Sequence, residues 1–177
     1  MKKTVINIAL IVTTIIIYYL QSNFFSWFNI AGVMPNLFVI LVLFIGLFAS
    51  RTMGTAYGVA IGVVLDFLLG NKIGIYAGTL GVIGFLAAVF DKNFSKDNKF
   101  TILIMVIGMT IICEIANYFL NIIILEIPVE IEAFSKILLI EVFYNSMLIL
   151  IFYNAFLKLG AILERQFKQK NILTRYF

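Results

Sequence analysis

Histidine is absent from this chain of 177 residues, and with it the commonest catalytic base and metal ligand. A single cysteine, Cys113, lies in an apolar run, so neither an intrachain disulfide nor a thiolate metal cluster can form. Charge is scarce: 12% of residues carry it, against about a quarter in an average soluble domain. No GxxxxGK[ST], HExxH or GxSxG pattern occurs, and no metal-ligand pair, so the sequence points away from an enzyme and no cofactor is expected. What is present instead is apolar. Hydrophobic residues make up 63% of the chain, and a mean hydropathy of +1.09 belongs to polytopic membrane proteins. The length suits one compact domain. A net charge of +4 would suggest nucleic acid as the partner of a soluble chain. Here the positions of the charges matter more than their sum, and no nucleic-acid partner is expected.

Six apolar segments are read as membrane spans, at about 20 residues per crossing. They cover approximately 4–20, 35–50, 53–70, 74–90, 101–125 and 134–157. Pro35 suits the first turn of the second span, where its missing N–H removes no bond. The first segment is read as a retained helix rather than a signal peptide, since Leu20–Gln21–Ser22–Asn23 is not a small-x-small cleavage site. With the N-terminus inside, the cytoplasmic segments hold Lys2, Lys3, Arg51, Lys92, Lys96, Lys99, Lys158, Arg165, Lys168, Lys170 and Arg175, while the outer ones hold only Lys72 and Lys136. That 11 to 2 division predicts cytoplasmic termini. Tyr18, Tyr19, Phe24, Phe25, Trp27 and Phe28 resemble an interfacial aromatic girdle. Residues 1–157 are expected to form the six-span domain. Residues 158–177 are expected to form a basic cytoplasmic tail, with Leu159, Ile162, Leu163 and Phe167 on one side of an amphipathic helix lying on the inner leaflet of the bilayer.

Within the third span a small or acidic residue recurs every fourth position: Gly54, Gly58, Gly62, Asp66, Gly70. Each glycine costs an aqueous helix about 1 kcal/mol relative to alanine. In lipid, the same spacing removes the side chains that hold helix backbones apart. Gly54, Gly58 and Gly62 are therefore expected on one close-packed face, inside the bundle or against a partner's helix, with this span at the centre. The fourth span continues the theme with Gly74, Gly78, Gly81 and Gly84, joined to the third by Asn71–Lys72–Ile73 in a tight hairpin. A larger side chain at Gly58 is expected to disturb the protein more than one at Gly160 in the tail.

Three carboxylates fall inside spans: Asp66, Glu114 and Glu141. An acid at a helix centre costs about 2.5 kcal/mol or more to insert, so each should find an internal partner. No basic residue lies deep in a span. Hydrogen bonds to amides and phenols are expected instead, from the strip Glu114, Asn117, Tyr118, Asn121 and the strip Glu141, Tyr144, Asn145. Such clusters admit a structural polar network, a docking surface for a partner helix, or a small-molecule or proton site.

The ordered set Pro35–Asn36–Leu37, Tyr57–Gly58–x3–Gly62–x3–Asp66, Gly74–x–Tyr76, Glu114 and Asn145 resembles the rod shape-determining protein MreD family of the bacterial cell-elongation machinery. The resemblance spans nearly the whole chain. It implies an all-α six-helix transmembrane bundle, similar to the substrate-binding S components of energy-coupling-factor vitamin transporters. It further implies a non-enzymatic scaffold in the bacterial cytoplasmic membrane, working in peptidoglycan synthesis and cell shape. The partners it implies are a single-span MreC-like protein, the glycan polymerase RodA, its penicillin-binding transpeptidase and, indirectly, MreB filaments. The rival reading is a vitamin-capturing S component. Such subunits usually carry Ala-x3-Ala in the first span, whereas here Ala9 is followed four residues later by Thr13.

Overall fold

The computed structural model of the protein describes residues 3–70, 72–90, 98–125 and 128–167. Lys2, Asn71, Lys92, Lys96, Glu126, Lys168, Lys170 and Arg175 lie outside that set, as do most of the 91–100 connection and the end of the tail. The described chain is all-helical, without a strand among these residues. Helix α1, Lys3–Tyr19, runs on through a π-helical turn, Leu20–Phe24, and a short turn, Phe25–Trp27. Five helices follow: α2 Leu37–Phe48, α3 Arg51–Leu68, α4 Ile75–Phe90, α5 Lys99–Leu125 and α6 Ile131–Phe167. Three stretches are long and apolar enough to cross a bilayer: Thr4–Trp27, Lys99–Leu125 and Ile131–Arg165. Helices α2 and α4 are apolar but shorter.

The centre of the bundle is α2, not the glycine-bearing α3 that the spacing singled out. Every residue from Phe38 to Phe48 is buried, whereas α3 keeps Val59, Val64 and Phe67 exposed. A helix apolar on all sides has no face to offer water, so it belongs wherever neighbours enclose it. Around α2 lie α1, α3, α4, α5 and α6. Phe44 stacks on Phe156 of α6, with centroids 4.5 Å apart. A Cβ on Gly160, one turn further along α6, would meet the Phe48 ring at 2.7 Å. One expectation falls here: Gly160 is buried rather than free in a tail. Helix α6 runs on through residues 157 and 158 without a break and carries Leu163 and Phe167 onto the bundle.

Helices α3 and α4 make the closest contact in the molecule. A Cβ at Gly54 would stand 2.6 Å from the Gly46 Cα and from the Gly84 carbonyl oxygen. One at Gly58 would collide with the Leu80 carbonyl, and one at Gly62 with the backbone of Tyr76 and Ala77. Backbone therefore meets backbone along the whole row, which only glycine permits. That row is filled from within the chain by α4, with Gly46 of α2 closing its end. Neither Gly74 nor Gly78 belongs to it. Gly78 is exposed, its nearest neighbour being the Leu120 side chain at 3.9 Å, and Gly74 lies in the turn before α4.

Candidate functional site

Asp66 ends the row and turns the chain. Its side chain is fully buried and accepts the N–H groups of Gly74 at 2.8 Å, Tyr76 at 2.9 Å and Ala77 at 3.3 Å. These are the unpaired donors at the start of α4, so the carboxylate of one helix caps the next. Gly74 has φ +119°, a conformation that side chains disfavour, which aims its N–H back at Asp66. Tertiary structure thus gives Asp66 backbone partners, in place of the amide and phenol side chains expected for the intramembrane acids.

A second junction holds the start of α2. Asn36 is its N-cap and accepts from the Val39 N–H at 3.3 Å, so Pro35 stands just outside the helix rather than in its first turn. The Leu37 N–H donates to Gln21 Oε1 at 3.1 Å, from the π-helical turn. The Asn36 N–H donates at 2.9 Å to Oδ1 of Asn145, on α6, and Asn145 Nδ2 donates at 3.0 Å to Thr110 Oγ1, on α5. One amide therefore ties three helices together, and both Asn145 and Thr110 are fully buried. Tyr144 donates its hydroxyl to the Phe28 carbonyl, pinning α6 to the loop after α1.

Above this junction lies a polar cavity of about 510 Å³. Its existence follows from helix length. At 1.5 Å per residue α2 is about 18 Å long, while α5 and α6 reach about 40 and 55 Å. Both outrun α2, and Asn145, level with its start, stands about four turns inside α6. The space left over is floored by Asn36 and walled by Glu114, Asn117, Tyr118 and Asn121 of α5, Glu141 of α6, and Tyr76 of α4. Glu114 and Glu141 face each other there, with Asn36 and Asn117 alongside. Glu141 is 5% exposed and Asn117 7%. Glu141 Oε1 and Asn117 Oδ1 are buried acceptors without a donor among the described residues. Asn117 Nδ2 donates to Cys113 Sγ at 3.7 Å.

A model of a family described as rod shape-determining protein MreD matches residues 1–161. The chain belongs to that family. No curated protein and no solved structure matches it, so the expected likeness to transporter S components finds no support in known structures. Membership of the MreD family makes this a membrane protein with a role in determining rod shape, in a structural rather than an enzymatic family.

The residues that carry the sequence resemblance form several separate contacts between helices. Asn36 and Asn145, 109 positions apart, are bonded to each other. Asp66 holds Gly74 and Tyr76, and Gly58 and Gly62 lie against α4. Of the two polar strips, Glu114, Asn117, Asn121 and Glu141 meet in the cavity, whereas Asn145 and Tyr144 bond elsewhere. Gln21, Thr110, Tyr76, Gly46 and Gly84 complete these arrangements. The only signal for Gln21 and Thr110 was polarity inside an apolar stretch, and neither stood in a recurring pattern.

Proposed function

We propose that this MreD-family protein is a non-enzymatic scaffold of the cell-elongation complex. It binds the transmembrane helix of an MreC-like single-span partner and so helps localise or regulate peptidoglycan synthesis. It sits in the cytoplasmic membrane with both termini cytoplasmic, near RodA and the penicillin-binding transpeptidase and linked indirectly to MreB. The carrying observation is the family match over residues 1–161. Supporting it, most of the family-pattern residues serve to join helices of this bundle rather than to assemble a reactive group. Because α4 occupies the glycine row, the partner helix takes a lipid-facing side of the bundle. Disulfide-crosslinking scans of the lipid-facing helix surfaces against the partner's span locate it. Depletion should round rod-shaped cells, and the tagged protein should copurify the MreC-like partner from detergent.

A vitamin-capturing S component is the second reading, favoured by one observation: the polar cavity between α5 and α6. Unchanged cell shape on depletion, together with a copurifying vitamin and an ATP-binding module, would reject the scaffold.

A further inference from the structure

Two carboxyl side chains meeting inside a membrane bundle need a counterpart, because two like groups withdrawn from water raise each other's cost. Asp66 has its counterpart in three backbone N–H groups. Glu114 and Glu141 have each other and the amides Asn36 and Asn117. None of the described residues lining their cavity is basic. Neither lysine at this end of the bundle lines the cavity: Lys72 donates to the Ile124 carbonyl at 2.7 Å, and Lys136 is exposed on α6.

We infer that this cavity binds an organic ammonium group, seated between Glu114 and Glu141. The inference stands apart from the scaffold reading. Three features of the site select that chemistry. Glu141 Oε1 and Asn117 Oδ1 are acceptors awaiting a donor, and an ammonium brings three donors and no acceptor. Aromatic rings stand beside the acids, Tyr76 and the pair Tyr118–Phe134 stacked at 4.3 Å, and such faces attract cations and cover an apolar body. The volume of about 510 Å³ matches a small molecule and far exceeds a bare ion. Glu130 also lines the cavity, but among the described residues no three acidic, thiol or imidazole side chains come close enough together to hold a metal ion. An ammonium of this kind is offered by a soluble amine or by the headgroup of an aminophospholipid.

The test uses the full chain in detergent micelles, with binding read from the ligand dependence of thermal unfolding and stoichiometry from native mass spectrometry. Phenethylammonium is compared with 2-phenylethanol, and dioleoylphosphatidylethanolamine with dioleoylphosphatidylglycerol. At least one ammonium probe should bind one per chain, at least tenfold more tightly than its counterpart. Success of phenethylammonium alone assigns a soluble amine, and success of the lipid alone assigns a headgroup. The advantage should vanish in the Glu114→Gln, Glu141→Gln double variant and survive in Glu132→Gln, whose side chain is exposed outside the cavity. Should the double variant fail to fold, Asn121→Phe, which fills the cavity and leaves both acids in place, must abolish the advantage. Equal binding of each ammonium probe and its counterpart, or an advantage that persists in either folded variant, overturns the inference.

Discussion

At Asp66 a single side chain does the work of a connecting loop, since three N–H groups of the next turn and helix converge on its two oxygens. Losing a cap of this kind costs about 1–2 kcal/mol. Asp66→Ala should therefore lower stability by about that much in a denaturing-detergent titration. Asp66→Asn should fall between Ala and the parent, because one oxygen remains to accept and the new amide faces other donors. Equal stability of all three proteins would show that the turn holds without its cap. Asn145 poses the same question across the sequence. Polar contacts between membrane helices average about 0.6 kcal/mol, which is the loss expected for Thr110→Val. Asn145→Leu also strands the Asn36 N–H at the start of a buried helix, so about 1–3 kcal/mol should be lost. In a double-mutant cycle the Thr110→Val effect should shrink when Asn145 is already leucine.

At the level of elements, the contact of α3 with α4 depends on the absence of Cβ atoms rather than on any attractive group. Overpacking a close contact costs about 1–3 kcal/mol. Gly58→Leu should thus reduce the folded yield markedly, and Gly160→Leu should do so too, since its side chain would enter the Phe48 ring. Gly108 is the fitting control: a Cβ there meets nothing within 4 Å. Size-exclusion profiles of the three leucine variants decide the matter. A monodisperse Gly58→Leu protein would remove the close-packed face from the account. Gly160 also illustrates how far a local pattern reaches. Its neighbours Lys158, Arg165 and Lys168 read as part of a basic amphipathic tail, yet the helix that carries it stays packed on the bundle, with Gly160 against the Phe48 ring.

For the whole molecule, the orientation rests on charge alone, and it is the property most open to direct measurement. Reporter fusions after Lys96 and Gln169 should read cytoplasmic, and a fusion near Glu130 should read external. An external signal at Lys96 inverts the bundle and turns the mouth of the cavity toward the cytoplasm. The structure supplies an internal constraint on any such answer. Tyr144 bonds the Phe28 carbonyl, and Lys72 bonds the Ile124 carbonyl. The α3–α4 turn and the end of α5 therefore share one end of the molecule, whichever way it faces, and the loop after α1 is tied to the interior of α6.

Much was legible in the sequence. Scarce charge and long apolar runs establish a helical membrane protein, because a backbone in lipid must satisfy its own hydrogen bonds. The fourfold glycine spacing marks a close contact between helices, and the ordered polar residues resemble the family whose model matches residues 1–161. Tertiary structure decided which helix lies at the centre. In water, apolar residues mark the interior, but lipid is as apolar as a protein core, so LFVILVLFIGLF reads the same whether neighbours or lipid surround it. It decided also that Gly74 serves a turn and Gly78 an open surface, since spacing gives no backbone dihedral. Most of all, it decided the polar partners. Asn36 meets Asn145, and Glu114 meets Glu141, only because a helix of 12 residues sits between longer ones. Helix length is written in the chain, but which helices that shortness leaves facing each other is settled only when all six pack together.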